Sequence, residues 1–315
     1  METPKGFKLF VAYLIENKPE IFKLLKQLGY NSSIKQIILL AKALYGLKQS
    51  PREWQLKLKT LFEELGFKNL VSDSTVFFDS KNGTFIVTFV DDCLLIGPKI
   101  RAINAIKAQI AKQYAIEDRG PATHFLGVQI IRDRTKRLLW LSQRQYIKEA
   151  LKRFKMENAK PVLIPLQPGL LGLHVQPSPP TSRTEHKLFQ EIVGTTMYLL
   201  TQTRADLGFP VQWLSRFMTK SLKTHLNAGK GLLKFIGGTD NLAICYGRDL
   251  SNGIFPIGYC DSDYTGDKSS KSTYGYLFKF AGGPVSWKSK RASTITLSTQ
   301  EAETDALTEG IREVL

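Results

Sequence analysis

Cysteine is scarce in this 315-residue chain: Cys93, Cys245 and Cys260 are its three, and no two of them form a CxxC pair. That argues against a disulfide framework and for a reducing compartment. The four histidines are scattered, so a zinc site of clustered Cys and His is not expected either. Long apolar runs are missing, and no stretch approaches the ~18 residues of a membrane span. Charged residues interrupt every apolar stretch near the start, which therefore lacks the shape of a secretory signal. The expectation is an intracellular protein, cytoplasmic or nuclear, neither secreted nor membrane-spanning. Acidic residues are also in short supply, 28 Asp and Glu against 44 Lys and Arg, for a formal net charge of +16. A polyanionic partner suits that balance, and so does a plain solvated basic surface.

The excess is uneven. Ten Lys or Arg (Arg132, Arg134, Lys136, Arg137, Arg144, Lys148, Lys152, Arg153, Lys155 and Lys160) stand against Asp133, Glu149 and Glu157. Tyr146, Ile147, Ala150, Leu151 and Phe154 recur there at helical spacing, so one helix face packs while the others carry charge. Phosphates neutralised by that surface would give a salt-dependent affinity.

Two adjacent aspartates form the most informative stretch. Thr84–Thr88 and Cys93–Gly97 are β-rich arms, with Phe89-Val90-Asp91-Asp92 between them, which predicts strand, tight Asp-Asp turn, strand. Neighbouring carboxylates repel unless a divalent cation neutralises them, and a phosphoryl-transfer site uses such a pair to hold Mg²⁺ against a polyphosphate. Asp-Asp is also ordinary turn chemistry.

Elsewhere the pattern predicts a helix from Ser50, with Ser50 as N-cap, Pro51 at the first position, Glu53 completing a capping box and Gly66 at the end. Trp54, Leu58, Leu61, Phe62 and Leu65 are its apolar stripe. A further helix is predicted over 101–114. Six of the fourteen prolines fall between Pro161 and Pro180, which makes that stretch an extended connection. Helices over 185–203 and 205–236 follow. Beyond Gly253 the period becomes that of strands: 255–261, a 274–280/284–288 hairpin turning at Gly282-Gly283, and 293–297. Ser298-x-x-Glu301 then caps a helix that turns Glu303 inward with Leu307, Ile311 and Val314, where a carboxylate needs a metal or a lysine partner.

Leu44-Tyr45-Gly46-Leu47-Lys48-Gln49-Ser50-Pro51-Arg52-Glu53-Trp54, together with Phe89-Val90-Asp91-Asp92, resembles the reverse transcriptase of copia-type LTR retrotransposons. Phe125-Leu126-Gly127-Val128, Leu141-Ser142-Gln143-Arg144-Gln145-Tyr146, Val193-Gly194-Thr195-Thr196-Met197-Tyr198-Leu199, Leu214-Ser215-Arg216-Phe217-Met218, Tyr259–Asp267 and Leu297–Glu303 continue it in family order. The resemblance implies an α/β (α+β) fold in three parts. Residues 1–160 are a partial reverse transcriptase with palm and a thumb-like basic helix. Residues 161–250 are a Pro-rich linker and helical connection, and 251–315 are the opening βββα of a ribonuclease H-like module.

It further implies Asp91 and Asp92 as catalytic Mg²⁺ ligands with Val90 beside the primer end, and Asp261 and Glu303 as the first nuclease carboxylates and metal ligands. Gly46 matches the glycine that admits template or nucleotide to the backbone. Lys48, Gln49 and Arg52 are assigned to template or phosphate, although Arg52 in a first helical turn has an equally good structural role. Lys148, Lys152 and Arg153 belong to the basic surface. The implied partners are an RNA template, a DNA primer, the RNA–DNA hybrid and nucleotides.

Departures from the family pattern shape the enzymatic expectation. A further polymerase Asp is expected upstream of Met1-Glu2-Thr3-Pro4-Lys5-Gly6-Phe7, and further nuclease acids beyond Leu315. Gly231 and Gly237 stand where Arg or Lys is usual, and Thr304 where an aromatic residue follows the nuclease Glu. The expectation is a polyprotein fragment with impaired or no catalysis. A non-catalytic nucleic-acid-binding remnant and a translated relic without function are the alternatives.

Overall fold

A computed structural model of the chain describes residues 19–27, 46–170, 178–247, 255–264 and 270–314, and its contacts divide into two units, Met1–Arg119 and Gly120–Leu315. The motif at residues 1–7, most of the irregular 5–40 stretch and residues 265–267 lie outside the described residues.

In the first unit, α1 spans Pro19–Gln27 and α2 spans Ser50–Glu64. The strands β1 (Lys68–Asn69), β2 (Val76–Asp79), β3 (Thr84–Phe89) and β4 (Asp92–Ile96) form an antiparallel sheet in that order, followed by α3 (Ile100–Gln113). The predicted stripe of α2 is the buried one: Leu58, Leu61 and Phe62 pack with Phe67, Phe77, Ile86 and Ile110. Each such side chain fully removed from water contributes about 1.5–3 kcal/mol, more than the helix's propensities could supply. The helix starts one residue earlier than predicted. Ser50 is its first residue, and Gln49 takes the cap position without a side-chain capping hydrogen bond. Its end is as read. The Phe67 N–H donates to Phe62 C=O (2.9 Å) and the Gly66 N–H to Glu63 C=O (3.0 Å), with Gly66 at φ 88°, a Schellman closure that needs glycine.

In the second unit, β5 (His124–Phe125), β6 (Val128–Asp133), β7 (Leu138–Ser142) and β8 (Ile244–Tyr246) make an antiparallel sheet. Helices α4 (Arg144–Arg153), α5 (Arg183–Gln202), α6 (Gly208–Ser215) and α7 (Lys223–Gly238) build the main core, in which Ile147 and Leu151 of α4 meet Phe189, Ile192, Leu199, Leu214, Leu232 and Leu233. The continuous helix predicted over 205–236 is broken between Ser215 and Lys223. The Pro-rich segment competes for the backbone there. The Thr181 N–H donates to Ser221 C=O (3.2 Å), the Lys223 N–H to Pro179 C=O (3.0 Å), and Pro180 bridges Leu222. Apolar periodicity carries no trace of that pairing.

The remaining strands, β9 (Ile257–Asp263), β10 (Thr273–Phe280) and β11 (Gly283–Arg291), form an antiparallel sheet with β10 central, and α8 (Thr299–Val314) packs on it. The β10–β11 turn is Ala281-Gly282 rather than Gly282-Gly283; Phe280 pairs Gly283, and both loop residues have positive φ, 50° and 85°. Residues 293–297 form no strand. The Ser298 hydroxyl accepts the Glu301 N–H (3.1 Å) as read, and the Glu301 carboxylate accepts the Leu297 N–H (2.6 Å).

The predicted inward face of α8 is its outward one. Leu307, Ile311 and Val314 are 55%, 50% and 62% exposed, and Glu303 is exposed with them, while Ala302, Ala306 and Gly310 are buried. Only small residues let the helix axis approach the bulky strand: a Cβ on Gly310 would lie 2.4 Å from Cys260 Sγ. Polar clamps complete the contact. The Tyr276 hydroxyl (2.7 Å) and the Ser286 hydroxyl (2.6 Å) both donate to the Glu313 carboxylate. Burial and that carboxylate push the Tyr276 hydroxyl up to about 12.

The described residues are thus helices and antiparallel sheets, an α+β fold. No described helix is long and apolar enough to cross a membrane.

Candidate functional site

The hairpin carrying Asp91 and Asp92 follows from the alternation in β3, where Thr84, Ile86 and Thr88 are buried while Phe85 and Phe89 are exposed. Phe89 pairs Asp92, so the two-residue loop is Val90-Asp91, one position earlier than the predicted Asp-Asp turn, and Asp92 is the first residue of β4. Residues directly opposite share a sheet face, which sets Asp92 on the open face with Phe89. Both aspartates are exposed, and among the described residues neither carboxylate has a hydrogen-bond or ion-pair partner.

Val90 sits at φ 52°. A β-branched residue in that region is strained, at a cost of order 1–3 kcal/mol, and persists only where its surroundings hold it. The holder comes from the other motif. The Trp54 indole N–H donates to the Val90 carbonyl at 2.7 Å, and the Trp54 ring meets Tyr114 edge-on, centroids 5.4 Å apart. Trp54 lies in the first turns of α2, so that bond sets the amino end of α2 beside the hairpin tip. Just before it, Gly46 has φ 94° with open space in front of it, while Lys48, Gln49 and Arg52 are exposed. In the sequence Trp54 stands only as part of a motif and of the apolar stripe of α2. Its bond to a loop 36 positions away carries no local signal.

The second unit holds the basic surface. All ten basic side chains between Arg132 and Lys160 are exposed. Arg144 pairs Asp240 (3.2 Å), and the Arg153 guanidinium donates to the Thr195 hydroxyl and lies 4.8 Å from the Phe154 ring centre. Lys148 and Lys152 of α4 have no such ties among the described residues. Three further motifs meet at one junction: the Tyr198 hydroxyl donates to Leu126 C=O (2.7 Å), and the Tyr146 and Tyr198 rings lie 4.8 Å apart. The turn beneath is left-handed at Leu126 and Gly127, φ 50° and 77°.

Asp261 and Glu303 are both exposed. Cys260 packs towards α8, so the pleat turns Asp261 to the opposite face of β9, where it pairs Gly275. Asp261 thus lies on the face of β9 away from α8, the helix that carries Glu303. Among the described residues no three His, Cys, Asp or Glu side chains cluster as metal ligands. Asp91 and Asp92 suit a hard cation that takes one or two carboxylates and keeps its remaining positions for water and phosphate.

Comparison with known proteins agrees with the family resemblance. Residues 11–168 match the family described as reverse transcriptase (RNA-dependent DNA polymerase). The chain is 39% identical over 286 residues to the retrovirus-related Pol polyprotein from transposon TNT 1-94 of Nicotiana tabacum, covering 88% of this chain and 21% of that protein. It is 35% identical over 268 residues to the retrovirus-related Pol polyprotein from transposon RE1 of Arabidopsis thaliana, covering 84% of this chain and 18% of that one. It is also 26% identical over 309 residues to the transposon Ty1-ER2 Gag-Pol polyprotein of Saccharomyces cerevisiae, covering 90% and 17%. The chain thus spans a fifth or less of the length of two of these relatives, and 21% of the first. No solved structure matches it. The chain belongs to the reverse transcriptase (RNA-dependent DNA polymerase) family, in the form found in the Pol polyproteins of copia-type retrotransposons.

Proposed function

We propose that the Val90–Asp92 hairpin is the nucleotide-binding tip of an RNA-directed DNA polymerase, with Asp91 and Asp92 as its metal-holding carboxylates. The observation that carries this is the pair of exposed carboxylates, without a partner among the described residues, on a two-strand hairpin in a chain of this family. Mg²⁺ held there would neutralise the triphosphate and the charge that develops during phosphoryl transfer. The chain's own contribution is orientation. β3 and β4 fix the carboxylates, Val90 stands beside the place of the primer end, and Gly46 leaves room for template or nucleotide. Lys48, Gln49 and Arg52 offer donors for phosphate or template. The partners in this reading are an RNA template, a DNA primer and nucleotides. The basic surface of α4, with Lys148 and Lys152 foremost and Arg153 partly engaged, gathers the nucleic acid.

Residues 1–160, 161–250 and 251–315 are, in this reading, polymerase, connection and a ribonuclease H-like segment that faces the RNA–DNA hybrid. The three-stranded sheet with its helix supports the last. Asp261 and Glu303 remain its candidate acids by motif.

The test is metal-dependent binding of dTTP to the full chain on a poly(rA)·oligo(dT) duplex. Binding is expected to require Mg²⁺ and to fall at least about tenfold in Asp91→Asn and in Asp92→Asn, the loss of one charge-assisted ligand each. Any templated primer extension must vanish in both. Metal-independent binding, or extension that survives Asp91→Asn, overturns the assignment. Salt-sensitive nucleic-acid binding with no metal-dependent nucleotide site marks a non-catalytic remnant.

A further inference from the structure

We propose that Trp54 is a positioning residue for the carboxylate hairpin. Its indole N–H holds the Val90 carbonyl and so fixes the direction in which Asp91 and Asp92 leave the sheet. The inference rests on the reading of that hairpin as a metal-holding tip.

Three observations converge on it. The β3–β4 ladder closes at the Phe89–Asp92 pair, so the strands offer the Val90 carbonyl no partner, and Trp54 Nε1 supplies one at 2.7 Å. The loop residue it grips is β-branched and left-handed, φ 52°, a conformation that Val does not hold by preference. The donor is also firmly mounted. Trp54 stands one turn before the buried Leu58, Leu61 and Phe62 of α2, and its ring meets Tyr114 at 81°.

The chemistry of the donor matters as well. Indole N–H is a neutral donor without an acceptor function, so it grips the carbonyl and leaves the neighbouring carboxylates their charge and lone pairs. A lysine or arginine in its place would pair with Asp91 or Asp92 and compete with a cation. Among the described residues Trp54 bonds the Val90 carbonyl and no carboxylate of the hairpin. It acts through the backbone.

The experiment uses backbone amide NMR on the full chain, titrated with Mn²⁺ as the probe. In the wild type, the Trp54 indole N–H is expected to exchange slowly, and Mn²⁺ to broaden the Asp91 and Asp92 amides first. Trp54→Phe keeps a ring against Tyr114 and removes the donor. It is expected to shift and mobilise the amides of Val90, Asp91 and Asp92 and to weaken Mn²⁺ binding about fivefold, the change that one net hydrogen bond supports. Amides of Leu58–Phe62 should stay in place, and Trp54→His, which can donate from its ring, should recover part of the loss.

An indole N–H that exchanges freely in the wild type overturns the proposal, and decides it even if Trp54→Phe does not fold. Unchanged tip amides in Trp54→Phe overturn it equally. A wild type that binds no Mn²⁺ at the hairpin defeats the metal reading, while the tip amides still decide whether Trp54 positions the loop.

Discussion

At Val90 one side chain holds a strained loop, and at Arg204 one side chain ties two segments together. Val90 is held from outside by Trp54, as argued above. Arg204 is 1% exposed, and it donates to both oxygens of Asp206 (2.8 and 2.7 Å) and to the Thr239 carbonyl (3.2 Å) and hydroxyl (2.8 Å). It thereby ties the short segment before α6 to the end of α7. Asp206 is part-exposed and rehydrates when the partner goes, so Arg204→Met is expected to destabilise the chain by about 2–3 kcal/mol rather than more, measured by urea unfolding. A loss below half a kcal/mol would show that the network is ornamental.

His225 gives a pH test. It is buried against Phe217 and accepts the Leu222 N–H, and burial holds its pKa below the usual value. The unfolded chain therefore takes up the proton first, so stability is full above about pH 6.5 and falls as pH drops towards the folded value. Thermal melts between pH 7.5 and 5 should show that decline in the wild type and a shallower one in His225→Phe; equal slopes would refute it.

Among the elements, α8 shows why part of the fold was hidden. The existence of α2, α3, the Asp91–Asp92 hairpin and the β10–β11 hairpin was legible to within a residue at their starts and turns, because stripes, alternation and turn glycines are local. The buried face of α8 was not. Leu307, Ile311 and Val314 make the more apolar stripe, yet Ala302, Ala306 and Gly310 face the sheet, since the tyrosines and Phe278 of β10 fill the space that large helix residues would need. A stripe of small residues opposite an aromatic strand was a signal of equal period, outweighed by size. Gly310→Ala, although it favours the helix, should destabilise this layer by about 1–3 kcal/mol through overpacking on Cys260. Gly231→Ala meets nothing within 4 Å and should stabilise α7 by about 1 kcal/mol. Chemical denaturation of the two variants in parallel separates packing from propensity, and a shared sign would contradict the account of α8. The candidate site was half legible: its carboxylates could be named from sequence, whereas Trp54 reaches Val90 through the fold.

For the whole molecule, the formal charge is +16, and the second unit carries exposed lysines and arginines between Arg132 and Lys160 on which the proposed nucleic-acid binding rests. Lys148→Ala with Lys152→Ala should flatten the plot of log affinity against log salt by about 1–2 units, close to one per lost phosphate contact, with Arg153→Ala adding less because Thr195 engages it. An unchanged slope means a merely solvated face.

The central claim, that Asp91 and Asp92 hold a divalent cation at the hairpin tip, is tested most directly by letting the cation report its own position. With Fe²⁺ in place of Mg²⁺, and ascorbate and peroxide added, hydroxyl radicals cut the backbone beside the bound ion. The full chain is expected to be cut within residues 88–93, with the cut suppressed by excess Mg²⁺ and absent in the Asp91→Asn, Asp92→Asn double variant. Cleavage elsewhere, or the same cut persisting in that variant, would contradict the account.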